Sequence, residues 1–388
     1  LLDGAEIRPV YAATEDTAAL AIAQVLDDAQ GGPIGLDIET YVPPGAAPLP
    51  KMKMTRQCSK AVDPGQDKAG LDPRLAQVRL LQIYGGGDTC AVLDMQTVPW
   101  KLLTSLWAQR MVIHNAQFEL GFFRVQNIEL EKFECTMQAA GLMLGVHRRA
   151  LKDVALEYLG WDIPKELQTS DWGAPKLSAD QIAYAALDAV AALLLWQKLE
   201  PDLRNRERWG AYLLQRDVVP AAVEMEAAGF SLDTGALDEE IDNWASKLAD
   251  ARNAWTAATG EAPPEKPQQI RDWLLANLEQ DVLETWPRTK ITQELSTAAS
   301  DLERAAHLPA VRPLLDIKRL EKLLSSFGPS LRGAVHPITG RVHANYQVAG
   351  AKSGRWSCRS PNLQQIPGGR LAPGFRSVFK APPGRLLI

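Results

Sequence analysis

The chain has 388 residues, 46% of them hydrophobic and 23% charged, which fits two or three globular domains and excludes a disordered or fibrous chain. Its net charge of −5 is unevenly divided: residues 312–388 hold 13 Lys and Arg against two acids, so they carry +11 and leave −16 on residues 1–311, and a polyanion contact is expected at the basic end. Cys58, Cys90, Cys135 and Cys358 are scattered without a CxxC pair, which excludes a zinc or disulfide framework and fits a reducing, cytoplasmic setting, and no apolar run is read as long enough to cross a membrane.

In chain order, "PIGLDIET" (33–40) alternates, with Ile34, Leu36 and Ile38 on one side and Asp37 and Glu39 on the other. "VRLLQIY" (78–84) and "TCAVLDM" (89–95) read as two further strands joined by the Gly-Gly-Gly turn 85–87, as in a hairpin. Helical patterns follow at about 98–109, 115–125, 134–144, 150–159 and 178–199, so residues 1–203 are expected to form a mixed α/β layer domain. Between the first two strands, residues 41–70 are rich in Pro, Gly and Lys and are expected to be a functional surface loop or a disordered insertion; Lys51, Lys53 and Arg56 give it the charge to touch a polyanion. Residues 204–388 read as mainly helical, at about 206–228, 235–258, 266–278, 297–306 and 309–327, before a basic, turn-rich stretch with a hairpin at 336–346 around Thr339-Gly340.

Three segments bring carboxylates out of otherwise buried surfaces. Asp37 and Glu39, two apart on a strand, emerge from one face, and two acids that close repel unless a cation lies between them. D-x-E alone is also what a solvent-facing strand carries. "MVIHNAQFELGFF" (111–123) places Asn115 and Glu119 four apart on an apolar helix, and "QIAYAALDAVAALLLWQKL" (181–199) does the same with Tyr184 and Asp188. A buried carboxylate is costly without compensation. Four such acids could hold two divalent ions, Mg²⁺ or Mn²⁺, about 4 Å apart, as used in phosphoryl chemistry.

The order D-x-E, N-x-x-x-acid, Y-x-x-x-D resembles the DEDDy superfamily of 3′→5′ exonucleases, and "LKDVALEYLG" (151–160) and "QTSDWGAPKLSADQIAYAALD" (168–188) read as that superfamily does. The resemblance implies a ribonuclease-H-like fold, two divalent ions and release of nucleoside monophosphates from a 3′ end. By position, Asp37, Glu39, Glu119 and Asp188 match the metal-binding acids and Tyr184 the water-orienting tyrosine. Thr40, Asn115 and Phe118 fall where that family contacts the terminal nucleotide. One position departs: the third acid, usually Asp, is Glu119.

The second half resembles family A (bacterial DNA polymerase I-like) DNA polymerases. "VVPAAVEMEAAGFSLD" (218–233) is similar to the opening of that polymerase domain, residues 235–327 to its lower palm and thumb, "GAKSGRWSCRSPNLQQIP" (350–367) to the motif that begins the palm, and "FRSVFKAPPGRLLI" (375–388) to the segment entering the first palm strand. Arg355, Asn362 and Gln364 have the donors and acceptors for a minor-groove contact near a primer terminus, and Lys352, Arg359, Arg370 and Arg376 the charge to neutralise phosphates. In the family the first catalytic palm aspartate follows within a few residues of Ile388, so this stretch is expected to carry hydrolysis and primer-template binding but not polymerisation, with no 5′-nuclease domain ahead of residue 1. The expected partners are DNA as a primer-template duplex and a single-stranded 3′ end, with no membrane and a monomeric state. The expected location is the cytoplasm, with the nucleoid if bacterial or the host cytoplasm if phage. Two alternatives stand beside this reading: an exonuclease domain that is weak or silent and only positions DNA, because Glu is one methylene longer than Asp, and an RNA-processing DEDDy exonuclease.

Overall fold

The computed structural model describes residues 7–46, 66–163, 170–369, 371–382 and 384–385; Lys51, Lys53, Arg56, Cys58 and Arg370 lie outside them. The chain divides into two compact units. Among the described residues, the first gathers those of 7–46, 66–229 and 336–364, and the second those of 230–335 and 365–385.

The first unit is built on a six-stranded mixed sheet in the order β1-β4-β3-β2-β5-β6, formed by Arg8–Ala12 (β1), Ile34–Tyr41 (β2), Gln77–Tyr84 (β3), Thr89–Asp94 (β4), Met111–Ile113 (β5) and Phe133–Cys135 (β6). The β2–β3–β4 meander is antiparallel, including the expected β3–β4 hairpin, and the outer pairs β1/β4, β2/β5 and β5/β6 are parallel. Helices cover both faces. On one, α1 (Glu15–Ala29), α2 (Ala116–Val125) and α7 (Val219–Ala228) pack with Leu36, Ile38, Leu81 and Ile83. On the other, α3 (Thr136–Leu144), α4 (Leu151–Leu159) and α5 (Ala179–Asn205) pack with Leu80, Tyr84 and Val112, and α6 (Trp209–Asp217) adds Tyr212.

Helix α5 is long and apolar enough, by length and composition, to cross a membrane, which corrects the reading that no such run exists. Most of that apolar window is buried inside the unit, where Val190, Leu193, Leu195 and Trp196 form core, so its hydrophobicity is accounted for by packing. It begins at a capping box: Ser178 Oγ accepts from the Gln181 N–H at 3.1 Å while Gln181 Oε1 accepts from the Ser178 N–H at 2.9 Å.

Gly35 sets how closely α5 approaches the central strand. A Cβ on Gly35 would stand 2.1 Å from the carbonyl oxygen of Ala189, the residue after Asp188. The missing side chain therefore lets α5 lie directly on β2, two residues before Asp37. Gly35→Ala is expected to cost at least about 2 kcal/mol in chemical denaturation, because backbone on both sides must move.

Several expected elements take a different form. Residues 98–109 are not an α-helix but a 3₁₀ turn, Trp100–Leu103, followed by further turns. Pro99 removes a backbone donor at the start, and the buried Leu103 and Leu106 are three apart, the spacing of a 3₁₀ helix. The single helix expected at 206–228 is broken into α6 and α7 at Val218, with Pro220 in the first turn of α7. At 336–346 the turn forms, with Gly340 at φ +64° and its N–H donating to the His336 carbonyl at 2.9 Å. After the two-residue strand β8 (Arg341–Val342), however, β9 (Asn345–Gln347) pairs onward with β10 (Ser357–Arg359) rather than back across the turn.

The second unit is mainly helical, as expected. A two-residue ladder joins β7 (Phe230–Leu232) to β11 (Phe379–Lys380). Around it are α8 (Thr234–Thr259), α9 (Pro267–Asn277), α10 (Gln280–Glu284), α11 (Ala299–Leu302), α12 (Val311–Phe327) and α13 (Pro329–Gly333). Asp233 caps α8 by accepting from the Ala236 N–H at 3.0 Å and also pairs with Lys380.

Candidate active site: a carboxylate cluster on the central strand

β2 and α5 bring the first acids together. Asp37, Glu39 and Asp188 each offer a carboxylate oxygen within 4.8 Å of one another, the spacing of a cation site. Gly35, Asp37 and Glu39 share the face of β2 that meets α5. Glu119 enters from α2, and only 2% of its surface is exposed. It is not within the 4.8 Å group, but its charge acts on Glu39, and the charges of Asp37 and Asp188 act on it.

The electrostatics are those of like charges forced together. Burial holds the carboxyls of Asp37, Glu39 and Glu119 well above the usual range, and repulsion by their neighbours raises them further. Burial pushes Asp188 up to about 7. Among the described residues no ion pair links any of the four to Lys, Arg or His, whereas Asp94 in the same sheet pairs with Arg79 at 3.0 Å. Two oxygens, Glu119 Oε2 and Asp188 Oδ1, are buried with no hydrogen-bond partner. Orphaned carboxylate oxygens beside like charges fit a hard divalent cation, which would supply the compensation that no described residue gives.

Tyr184 lies one turn before Asp188 on α5 and is 8% exposed. Burial, then the charges of Asp188, Glu39 and Asp37, raise its hydroxyl well above the usual range, so it remains a proton donor beside the cluster. Its ring stacks on Trp172 at 6.5 Å between centroids, 30° between planes.

The other expected contact residues are placed in two groups. Asn115 and Phe118 share α2 with Glu119. Asn115 has a left-handed backbone, φ 70°, and as N-cap makes no side-chain capping bond among the described residues. Phe118 is half-buried and meets Phe122 edge-on at 5.1 Å. Thr40 follows Glu39 across a bulge, with its hydroxyl donating to the Gly70 carbonyl at 2.6 Å. Lys352 and Arg355 are exposed in the connection between β9 and β10, Gln364 is exposed after β10, and Asn362 Oδ1 accepts from the Gln364 N–H at 3.2 Å. No hydrogen bond among the described residues joins this group to the acids.

One residue near the site was not anticipated. Gln82 stands directly across from Asp37 in the antiparallel register, so its side chain shares Asp37's face. It is fully buried, and neither its oxygen nor its nitrogen has a hydrogen-bond partner among the described residues. The signal was available: a single amide in the middle of "VRLLQIY", in phase with the α5-facing positions.

The comparisons with known proteins agree with this geometry. Residues 67–204 match a 3′-5′ exonuclease family profile, which includes Glu119, Tyr184 and Asp188 and begins after Asp37 and Glu39. Residues 234–388 match DNA polymerase family A. The chain is 29% identical over 345 residues to a DNA polymerase I of Rhizobium leguminosarum, covering 83% of this chain and 33% of that protein. It is 30% identical over 292 residues to a DNA polymerase I of Chloroflexus aurantiacus, covering 70% and 30%. It therefore spans about a third of the length of these curated relatives. Its fold is similar to the POL domain of Pol1 from M. smegmatis, solved with DNA primer-template and dNTP, at a TM-score of 0.70 and 22% identity over 98% of this chain and 59% of that one. Along one polypeptide, residues 67–204 thus carry the sequence of the 3′-5′ exonuclease family and residues 234–388 that of DNA polymerase family A.

Proposed function

We propose that residues 1–203 are a 3′→5′ exonuclease domain of the DEDDy kind and residues 204–388 part of a polymerase domain, together serving proofreading DNA synthesis. The observation that carries the nuclease half is the cluster of Asp37, Glu39 and Asp188, with the buried Glu119 acting on it electrostatically and one oxygen each of Glu119 and Asp188 orphaned among the described residues. Asp37, Glu39, Asp188 and Glu119 would hold two divalent ions, Mg²⁺ or Mn²⁺, which supply Lewis acidity to the scissile phosphate and to the attacking water. The buried Oε2 of Glu119 favours its being a ligand over an inert domain that only positions DNA.

The rest is done by this chain's side chains. Tyr184, protonated across the physiological range, donates to the water and holds it for attack. Phe118 offers a ring face to the terminal base, and the amide of Asn115 a hydrogen bond to the terminal nucleotide. Thr40, next to Glu39 on β2, would meet the same nucleotide. Lys352 and Arg359 neutralise duplex phosphates, while Arg355, Asn362 and Gln364 read pair shape in the minor groove. The supports for DNA as partner are the basic 312–388 segment and the polymerase relatives. The setting proposed is the cytoplasm, as a monomer.

Incubating the chain with Mg²⁺ and a 5′-labelled single strand of DNA should shorten it stepwise with release of nucleoside 5′-monophosphates, and a strand left intact would overturn the nuclease half. An RNA strand of the same sequence should be the poorer substrate. Primer extension by the full-length protein with primer-template and dNTPs tests the polymerase half, and a complete lack of extension would sink it.

A further inference from the structure

Glu226, near the end of α7, collects three donors on one half-buried oxygen. Its Oε1 accepts from the Tyr346 N–H at 2.7 Å, from Gln117 Nε2 at 2.8 Å and from Asn345 Nδ2 at 3.1 Å. The Gln117 amide also donates to the Tyr346 carbonyl at 2.6 Å. Thus α7, α2 and β9 meet at one carboxylate, all within the first unit. Gln117 belongs to the first turn of α2, two residues before Glu119 and between Asn115 and Phe118. That turn lacks the usual device for holding a helix start, because Asn115 makes no capping bond. The Gln117 amide, which caps no helix N–H, instead ties that turn to α7 and β9. Asn345 extends the node: its Oδ1 accepts from Arg359 Nε at 3.0 Å, so a phosphate-facing arginine of the 350–367 motif is placed by the same carboxylate.

We propose that Gln117 and Glu226 are positioning residues for the nuclease, fixing the first turn of α2 against β9 and thereby aiming Glu119, Asn115 and Phe118. The proposal rests on the exonuclease reading above and adds to it residues that touch neither cation nor substrate. Outer partners that orient a metal-site acid typically change affinity or rate by about 10- to 100-fold when removed.

The test uses the whole chain as Gln117→Ala, Glu226→Ala, Glu226→Gln and the double alanine variant. The readouts are kcat and KM on single-stranded DNA, Mn²⁺ affinity by calorimetry, and thermal melting. Gln117→Ala and Glu226→Ala should each lower kcat and weaken Mn²⁺ binding by about 10-fold or more, with cooperative melting retained. The double variant should be no worse than the singles, because the two act as one unit. Glu226→Gln keeps a carbonyl oxygen for the three donors and should restore most of the loss. Wild-type values of kcat and Mn²⁺ affinity in Gln117→Ala would overturn the proposal, as would Glu226→Gln failing like Glu226→Ala. If Glu226→Ala does not fold, Gln117→Ala and Glu226→Gln decide. Should the wild-type chain hydrolyse nothing, the exonuclease reading falls, while the Mn²⁺ affinities still test the positioning.

Discussion

Asp37→Ala should lower hydrolysis of a single-stranded DNA end by about 10³-fold or more without lowering the melting temperature of the cation-free protein. The rate loss follows from Asp37's central position. It belongs to the group with oxygens within 4.8 Å, and its charge acts on Glu39, Glu119 and Tyr184 at once. Removing a group that stabilises developing charge at a reacting phosphate costs on the order of 10²- to 10³-fold, and more when the residues act as a unit. The unchanged or higher melting temperature follows from the same closeness, because the substitution removes a repulsive charge from a crowded site and deletes no described ion pair. Rate and melting curves on the same preparation separate this outcome from simple unfolding. An Asp37→Ala chain that hydrolyses at the wild-type rate would assign any observed cleavage to another site.

Asp188→Asn should stabilise the cation-free chain at pH 8 and abolish the stabilisation that divalent cations confer on the wild type. Burial pushes the folded-state pKa of Asp188 up to about 7, whereas an unfolded Asp ionises near 3.9. Between those values the unfolded chain binds fewer protons than the folded one, so stability falls as pH rises through that window. Above pH 7 the full penalty is present, and asparagine removes it at nearly constant volume. A gain of roughly 1–3 kcal/mol is expected at pH 8, with none at pH 4. In the wild type, Mg²⁺ or Mn²⁺ at 100 times its dissociation constant should add about 2.7 kcal/mol by mass action, and Asp188→Asn should lose most of that increment. Melting curves at pH 4 and pH 8, with chelator and with cation, read all four corners. A cation-free Asp188→Asn chain less stable than wild type at pH 8 would show that the carboxylate is already compensated.

Much of this was legible because it is periodic. The alternation of "PIGLDIET" put Asp37 and Glu39 on one face of a strand, and the i, i+4 spacings put Asn115 with Glu119 and Tyr184 with Asp188. The structure adds what periodicity cannot carry. Gly35 shows no pattern in sequence, yet its missing Cβ decides how near Asp188 comes to Asp37. Gln82 is one polar letter in an apolar strand, and only the antiparallel register reveals that it opposes Asp37. The Gln117–Glu226–Tyr346 node joins residues more than 100 positions apart, beyond the reach of local reading. The same non-local contacts place 336–364 in the first compact unit. Where the reading erred, the chain turns or breaks locally: the buried Leu103 and Leu106, three apart, suit 3₁₀ turns, and Pro220 follows the break between α6 and α7.

Four carboxylates from β2, α2 and α5 are proposed to form a divalent-cation site. Anomalous diffraction from crystals of the chain soaked in Mn²⁺ tests it most directly. The account predicts one peak among Asp37, Glu39 and Asp188 and a second on the Glu119 side of Asp37, both absent in Asp37→Ala crystals. Crystals that show Mn²⁺ only elsewhere, or none at millimolar concentration, would contradict it.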